Sequence, residues 1–213
     1  MNYTLRHTTR YHYSAPVTLC HSEARVLPRK TPYQQCGASE LQISPAPQVQ
    51  MERRDVFGNR VLYLAMEDVH QTLDVTVVTP LSTQPLAALP ATSTTWEQVA
   101  QQLSQDNSFD IQLYRLDSPF IRRNDELANF ALSCFTPGRP IVEAALALNE
   151  LIYKTFEYDP SFTTLATPLS EVLANRRGVC QDFAHVAIGC LRSLGLAARY
   201  VSGYIETLPP PGQ

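Results

Sequence analysis

One segment of the chain combines residue types that could carry out nucleophilic chemistry. Residues 176–186 read RRGVCQDFAHV, with Gly178 two positions before Cys180. Because glycine allows a sharp backbone turn, Cys180 is predicted in the first turn of the helix that follows. The free N–H groups and dipole of a helix N-terminus favour a thiolate, and Arg176 and Arg177 add positive charge. The pattern indicates a thiol suited to attack on a carbonyl carbon, with backbone N–H groups able to hold the oxyanion.

The sequence supplies no clear base for this thiol. A lone cysteine near a helix start is also compatible with a small buried hydrophobic residue, so the nucleophile interpretation requires a partner. His185 lies five residues after Cys180, about 140° around the helix, and is predicted to point away from it. The other four histidines fall in or beside predicted strands of the first half of the chain: His7, His12, His21 and His70.

Other chemistries find little support in the sequence. His12, Cys20, His21 and Cys36 match no zinc-ligand spacing. The motifs HExxH, GxxxxGK[ST], GxGxxG and GxSxG are absent, so no metal or cofactor is assigned. Seventeen Lys and Arg against 20 Asp and Glu give a net charge of −3, which argues against a nucleic-acid partner.

The elements that must position Cys180 change character along the chain. Residues 1–85 show a period of two and are predicted to form an antiparallel β-sandwich. Residues 86–95, rich in Pro, Ser, Thr and Ala, are predicted to be a linker, and residues 96–213 a core of helices packed on a partial antiparallel sheet. The fold class is therefore α+β. The predicted strands are 3–13, 22–27, 39–44, 48–54, 60–66 and 71–79.

The second half carries the helical signals. Thr94 and Glu97 have the spacing of a capping box for a helix at 95–104. Further helices are predicted at 124–134, at 140–156, from Thr167-Pro168 to a point before Gly178, and at 180–194, followed by a strand at 197–206.

With these residues in place, the chain resembles bacterial transglutaminase-like proteins of the papain-like cysteine enzyme superfamily. Residues 171–206, which contain RRGVCQDFAHV and RYVSGYI, are similar to the segment in which a nucleophilic cysteine opens a helix packed on a sheet. The first 80 residues, with YTLRHTTRYHYSAPV and DVFGNRVLYL, resemble the all-β domain that precedes this core. The resemblance covers nearly the whole chain.

The resemblance implies specific roles. Cys180 matches the family's nucleophile, and Tyr158 and Gln181 are candidates for lining the cleft. The family's catalytic His and Asp are expected after the strand that contains Gly203-Tyr204, where this sequence ends. The chain is therefore expected to be a truncated form with little activity, its core incomplete at the C-terminus.

The expected function is that of a cysteine protease, amidase or transglutaminase that acts on amides through an acyl-thioester on Cys180. The alternative is a non-catalytic module that binds a peptide or a partner. A third possibility is a structural fragment whose sheet edge pairs with another chain. The expected partner is a peptide or protein amide, without a membrane, and uncovered core surface makes self-association possible. Five irregularly spaced cysteines and the absence of a signal or spanning segment favour the cytoplasm.

Overall fold

The computed structural model describes residues 1–85, 92–164 and 167–206. The chain divides into two compact units, Met1–Ala88 and Leu89–Gln213, and each is described by itself. The predicted linker at 86–95 lies largely outside the described residues, so its bounds stay a prediction. Within the described residues, no helix has both the length and the apolar character needed to cross a membrane.

The first unit consists of two antiparallel sheets, which confirms the antiparallel β structure predicted for the N-terminal part of the fold. One sheet centres on β7, which pairs with β1 on one side and with β3 and β4 on the other; the second has the order β2-β6-β5. The strands are β1 (Asn2–Val17), β2 (Cys20–Ala24), β3 (Gln34–Cys36), β4 (Glu40–Ser44), β5 (Val49–Arg54), β6 (Arg60–Met66) and β7 (His70–Thr83).

The core between the two sheets follows from the period-two pattern. Alternate residues of β6, namely Leu62, Leu64 and Met66, are buried and belong to one cluster with Leu73 and Val75 of β7. Because side chains alternate across a strand, this spacing places one face of each sheet against the other.

The second unit contains helices around one apolar core and a two-residue parallel pairing. Its described elements are α1 (Trp96–Gln105), α2 (Phe109–Arg115), α3 (Asp125–Leu132), α4 (Ile141–Thr155), β8 (Glu157–Tyr158), α5 (Leu169–Asn175), β9 (Arg177–Gly178) and α6 (Cys180–Ser193). The core includes Phe135, Leu148, Leu173 and Val186, each at most 2% exposed. The α+β fold is confirmed.

Three expectations for this unit are wrong. Instead of the expected partial antiparallel sheet, the described residues of the unit contain the parallel pairing of β8 with β9. The capping box of α1 is formed by Thr95 and Gln98, one residue later than expected, because Glu97 instead accepts the backbone N–H of Gly138 at 2.8 Å. Residues 197–206 are irregular rather than a strand. A strand needs a neighbour to satisfy its backbone groups, and no strand pairing for this segment exists among the described residues.

Candidate active site

Cys180 occupies the first residue of α6, as the sequence predicts. All five cysteines lie within the described residues, and among them Cys180 alone is exposed. Cys190, ten residues later in the same helix, is fully buried, and burial raises the pKa of its thiol to about 12. The two thiols of α6 therefore lie in opposite environments.

The turn before Cys180 is fixed by Asp182. The Oδ2 atom of this nearly buried carboxylate accepts hydrogen bonds from the Val179 backbone N–H and from the Thr163 hydroxyl, both at 2.8 Å. A Cβ at position 178 would lie 2.7 Å from Asp182 Oδ2 and 3.0 Å from Asp182 Cβ, so any other residue would displace the Asp182 side chain. Gly178 thus permits the close approach that caps α6, and the cap holds Cys180 at the helix tip.

A short strand pairing brings Tyr158 to the same place. β8 and β9 pair in parallel, with Tyr158 opposite Gly178. A further backbone hydrogen bond extends this pairing beyond Tyr158, since the Asp159 N–H donates to the Gly178 carbonyl at 2.8 Å. The Tyr158 side chain is 64% exposed. The backbone of Tyr158 is thus paired with a residue two positions before Cys180, and its place beside a cleft stays a prediction.

The two arginines before Cys180 have partners of their own. The Arg177 guanidinium forms ion pairs with Asp159 at 2.7 Å and with Glu157 at 3.4 Å. The Arg176 guanidinium lies over the Phe130 ring at 4.2 Å and over the Phe156 ring at 5.1 Å. The charge of Arg177 is thus compensated by carboxylates, and that of Arg176 rests on aromatic faces.

Gln181 and His185 lie beside each other on α6, at the edge of the core. Both line a small cavity of about 20 Å³ together with Phe120, Thr164, Thr167, Leu169, Val172 and Asp182. The His185 ring stacks on Phe120, with centroids 6.0 Å apart, and meets the edge of Tyr200 at 5.6 Å. Burial lowers the pKa of His185, and the Asp182 charge opposes this effect only in part. His185 is therefore an aromatic packing partner that favours the neutral form.

The far end of α6 depends on a buried arginine that sequence reasoning missed. The Arg192 guanidinium donates two hydrogen bonds to the Ala198 carbonyl, at 2.8 and 3.1 Å, and one to the Leu116 carbonyl at 2.8 Å. Burial lowers its pKa below the ordinary value. Its partners are backbone carbonyls distant in sequence, so no local pattern marks it. Asp182 did carry a signal, since an acidic residue at the third helical position is typical of a cap.

One unit has an exposed thiol at a glycine-preceded helix tip and the other consists of two antiparallel sheets, as the resemblance to transglutaminase-like proteins leads us to expect. The family description "Bacterial transglutaminase-like N-terminal region" matches residues 3–80, and "Transglutaminase-like superfamily" matches residues 129–209. The chain belongs to this superfamily, and the resemblance stated from the sequence is confirmed.

Among its relatives, an uncharacterised protein of Mycobacterium tuberculosis is 38% identical over 216 residues, which is 99% of this chain and 68% of the relative. One from Mycobacterium leprae is 28% identical over 201 residues, 94% of this chain and 70% of the relative. A crystal structure described as that of "a Putative Cysteine Protease from Cytophaga hutchinsonii" has a TM-score of 0.67 and 21% identity. It covers 92% of this chain and 67% of that one, and shows the shared fold.

Proposed function

We propose that Cys180 is a nucleophile that forms an acyl-thioester with an amide carbonyl of a peptide or protein. The observation that carries the proposal is the exposed thiol on the first residue of the 14-residue helix α6. The thiolate sulfur attacks the carbonyl carbon, a C–S bond forms, and the C–N bond breaks as the amine leaves with a proton. Hydrolysis or attack by a second amine then completes protease, amidase or transglutaminase chemistry.

The first turn of α6 supplies groups for the developing oxyanion. By helix geometry, the N–H groups of Cys180 and Gln181 have no acceptor within the helix. The first intrahelical bond runs from the Phe183 N–H to the Val179 carbonyl at 3.1 Å. Free N–H groups beside the nucleophile, reinforced by the helix dipole, are suited to a negatively charged oxygen.

The base is the open part of this proposal. The described residues of the second unit contain one histidine, His185, whose ring packs on Phe120 and Tyr200 and lies about 140° around α6 from Cys180. We therefore assign the base to a group other than His185. Because His185 is packed in this way, the second candidate function is a non-catalytic module that binds a peptide or a partner.

Acylation by an activated ester tests the nucleophile without requiring a base. Because 4-nitrophenolate leaves without a proton, 4-nitrophenyl acetate reports on the thiol alone. At pH 7.5 we expect the acetyl group on the Cys180 peptide, located by mass spectrometry and removed by hydroxylamine. The variant Cys180→Ser should lose this adduct.

The half-buried Cys20 provides the matched control, and Cys20→Ser should acylate as the parent does. Acetyl groups spread over lysines and other cysteines, with no preference for Cys180, would contradict the proposal. Preferential acylation together with complete inertness toward peptide 4-nitroanilides, even with added imidazole, would favour the binding module.

A further inference from the structure

The first unit contains a cavity lined by basic residues, none of which has a part in the function proposed for Cys180. The cavity has a volume of about 630 Å³ and is lined by Arg29, Lys30, Cys36, Gly37, Ala38, Ser39, Arg54 and Arg60. This volume falls in the range of small-molecule sites. All of these residues belong to the β unit.

The clustering of charge in this cavity is selective. Residues 1–85 contain eight Lys and Arg and seven Asp and Glu, so the unit is close to neutral. Four of the eight cations line the cavity, whereas none of the seven carboxylates does. Arg60 is neutralised by Glu52, which accepts from its Nε at 2.6 Å and from its Nη2 at 2.9 Å. Arg29 and Lys30 form no ion pair with a carboxylate among the described residues, and Arg54 has only the longer-range attraction of Glu52.

Two of the cations are held in place by the β5–β6 turn. Arg29 donates to the Phe57 carbonyl at 2.9 Å, and Arg54 donates to the Gly58 carbonyl at 3.4 Å. The turn itself is fixed by Asp55, whose carboxylate accepts from the N–H groups of Phe57 and Asn59 at 3.0 and 2.8 Å. A guanidinium bound to a backbone carbonyl keeps further N–H donors for a ligand. The cations are thus oriented before any ligand arrives, which lowers the cost of binding.

We infer that this cavity binds a small organic anion with more than one phosphate or carboxylate group. Three cations that form no direct ion pair line one cavity and suit a multivalent oxyanion, because guanidinium groups bind such oxygens in pairs. A nucleic acid fits this site less well, because the chain carries a net charge of −3 and these four cations line one cavity. Phosphates and carboxylates share this chemistry, so the probes must separate them.

Titration calorimetry of the full chain with inorganic pyrophosphate and with citrate, at low salt, tests the inference. We expect binding of at least one probe that weakens as NaCl is raised. Pyrophosphate binding alone identifies a phosphate site, citrate binding alone a carboxylate site, and binding of both a general oxyanion site. Failure of both probes to bind at millimolar concentration would overturn the inference.

Lys30→Ala is the informative variant, because Lys30 is exposed and its removal leaves the turn contacts of Arg29 intact. It should weaken binding about fivefold to tenfold. Arg6→Ala removes the same charge from the exposed face of β1, outside the cavity, and should leave the affinity unchanged. Equal losses in both variants would mean that only net charge matters and would refute the site. Unchanged thermal unfolding of Lys30→Ala confirms that the comparison concerns folded protein.

Discussion

The hydrogen bonds of Asp182 provide a quantitative test of how the site is held. Asp182→Ala removes the acceptor of the Val179 N–H, a cap loss of about 1 kcal/mol. It also leaves the Thr163 hydroxyl without this partner and removes a negative charge from a helix N-terminus, together about 1 kcal/mol more. We therefore expect the free energy of unfolding of the second unit to fall by about 2 kcal/mol.

Tryptophan fluorescence during urea unfolding measures this change in the second unit, because the chain's one tryptophan lies there. The chain has one tryptophan, Trp96, which begins α1 and packs edge-on against Phe135 at a centroid distance of 5.8 Å. With a urea m-value of about 2 kcal/mol/M, the loss lowers the midpoint by about 1 M. Asp182→Asn keeps an oxygen acceptor for both hydrogen bonds, so it should cost about 0.5 kcal/mol, mainly from the lost charge.

Asp125→Ala is the matched control. Asp125 is an exposed acidic residue in the first turn of α3, so the substitution removes the same group from a comparable place in a helix. It should cost about 0.5 kcal/mol through the helix dipole alone. If Asp182→Ala and Asp125→Ala shift the midpoint equally, the cap does not hold the turn before Cys180 and the reasoning fails.

Four further outcomes follow from the same contacts. Iodoacetamide at neutral pH should label the exposed Cys180 first, and should label Cys190, whose pKa is about 12, only after denaturation. Peptide mass spectrometry locates the label. Early labelling of Cys190 would show that α6 opens in the native protein. Gly178→Ala should lower the free energy of unfolding, measured by the fluorescence assay, by about 1–3 kcal/mol, because its Cβ would lie 2.7 Å from Asp182 Oδ2. Gly203→Ala is the control and should leave the stability unchanged, because a Cβ there meets no atom within 4 Å. Equal effects of the two substitutions would refute the steric argument. The hydrogen bond from the Gly138 N–H lowers the pKa of Glu97. The contribution of this carboxylate to the free energy of unfolding is therefore complete above its ordinary pKa of 4.5 and is lost as the pH falls through the pKa of the folded state. Glu97→Gln should flatten the acid side of a plot of unfolding free energy against pH, and an unchanged slope would count against this bond. Added imidazole should raise 4-nitroanilide turnover by the parent chain and not by Cys180→Ser, while equal rates in both would remove Cys180 from the reaction.

The elements that the sequence predicted well are those whose signal is local. Helix α6 was predicted at 180–194 and spans Cys180–Ser193, because Gly178 precedes its start and Gly195, which has a φ of 81°, follows its end. The strand predicted at 39–44 agrees with β4 (Glu40–Ser44), in which exposed and half-buried residues alternate with a period of two. In both cases the residues within one element determine its kind and its limits.

The elements that the sequence missed depend on distant contacts. Helix α2 has seven residues and ends at Arg115, which donates to the carbonyls of Leu103 and Gly195 at 2.9 and 3.1 Å. Such a short helix is stabilised by these tertiary bonds rather than by its own propensity. The same holds for residues 197–206, where the expected strand is replaced by an irregular segment fixed at Ala198 by Arg192 and by the Tyr114 carbonyl.

The chemistry available to α6 is decided by what surrounds each of its residues. Cys180 and Cys190 share one helix and one residue type, yet one thiol is exposed at the N-terminus and the other is buried with its pKa raised to about 12. The exposed end is held by Asp182 and the far end by Arg192, both through bonds to groups outside the helix. Because both ends are fixed, Cys180 can be exposed without the first turn fraying. A rigid tip with an accessible thiol and free N–H groups is the geometry that preorganised attack on a carbonyl requires.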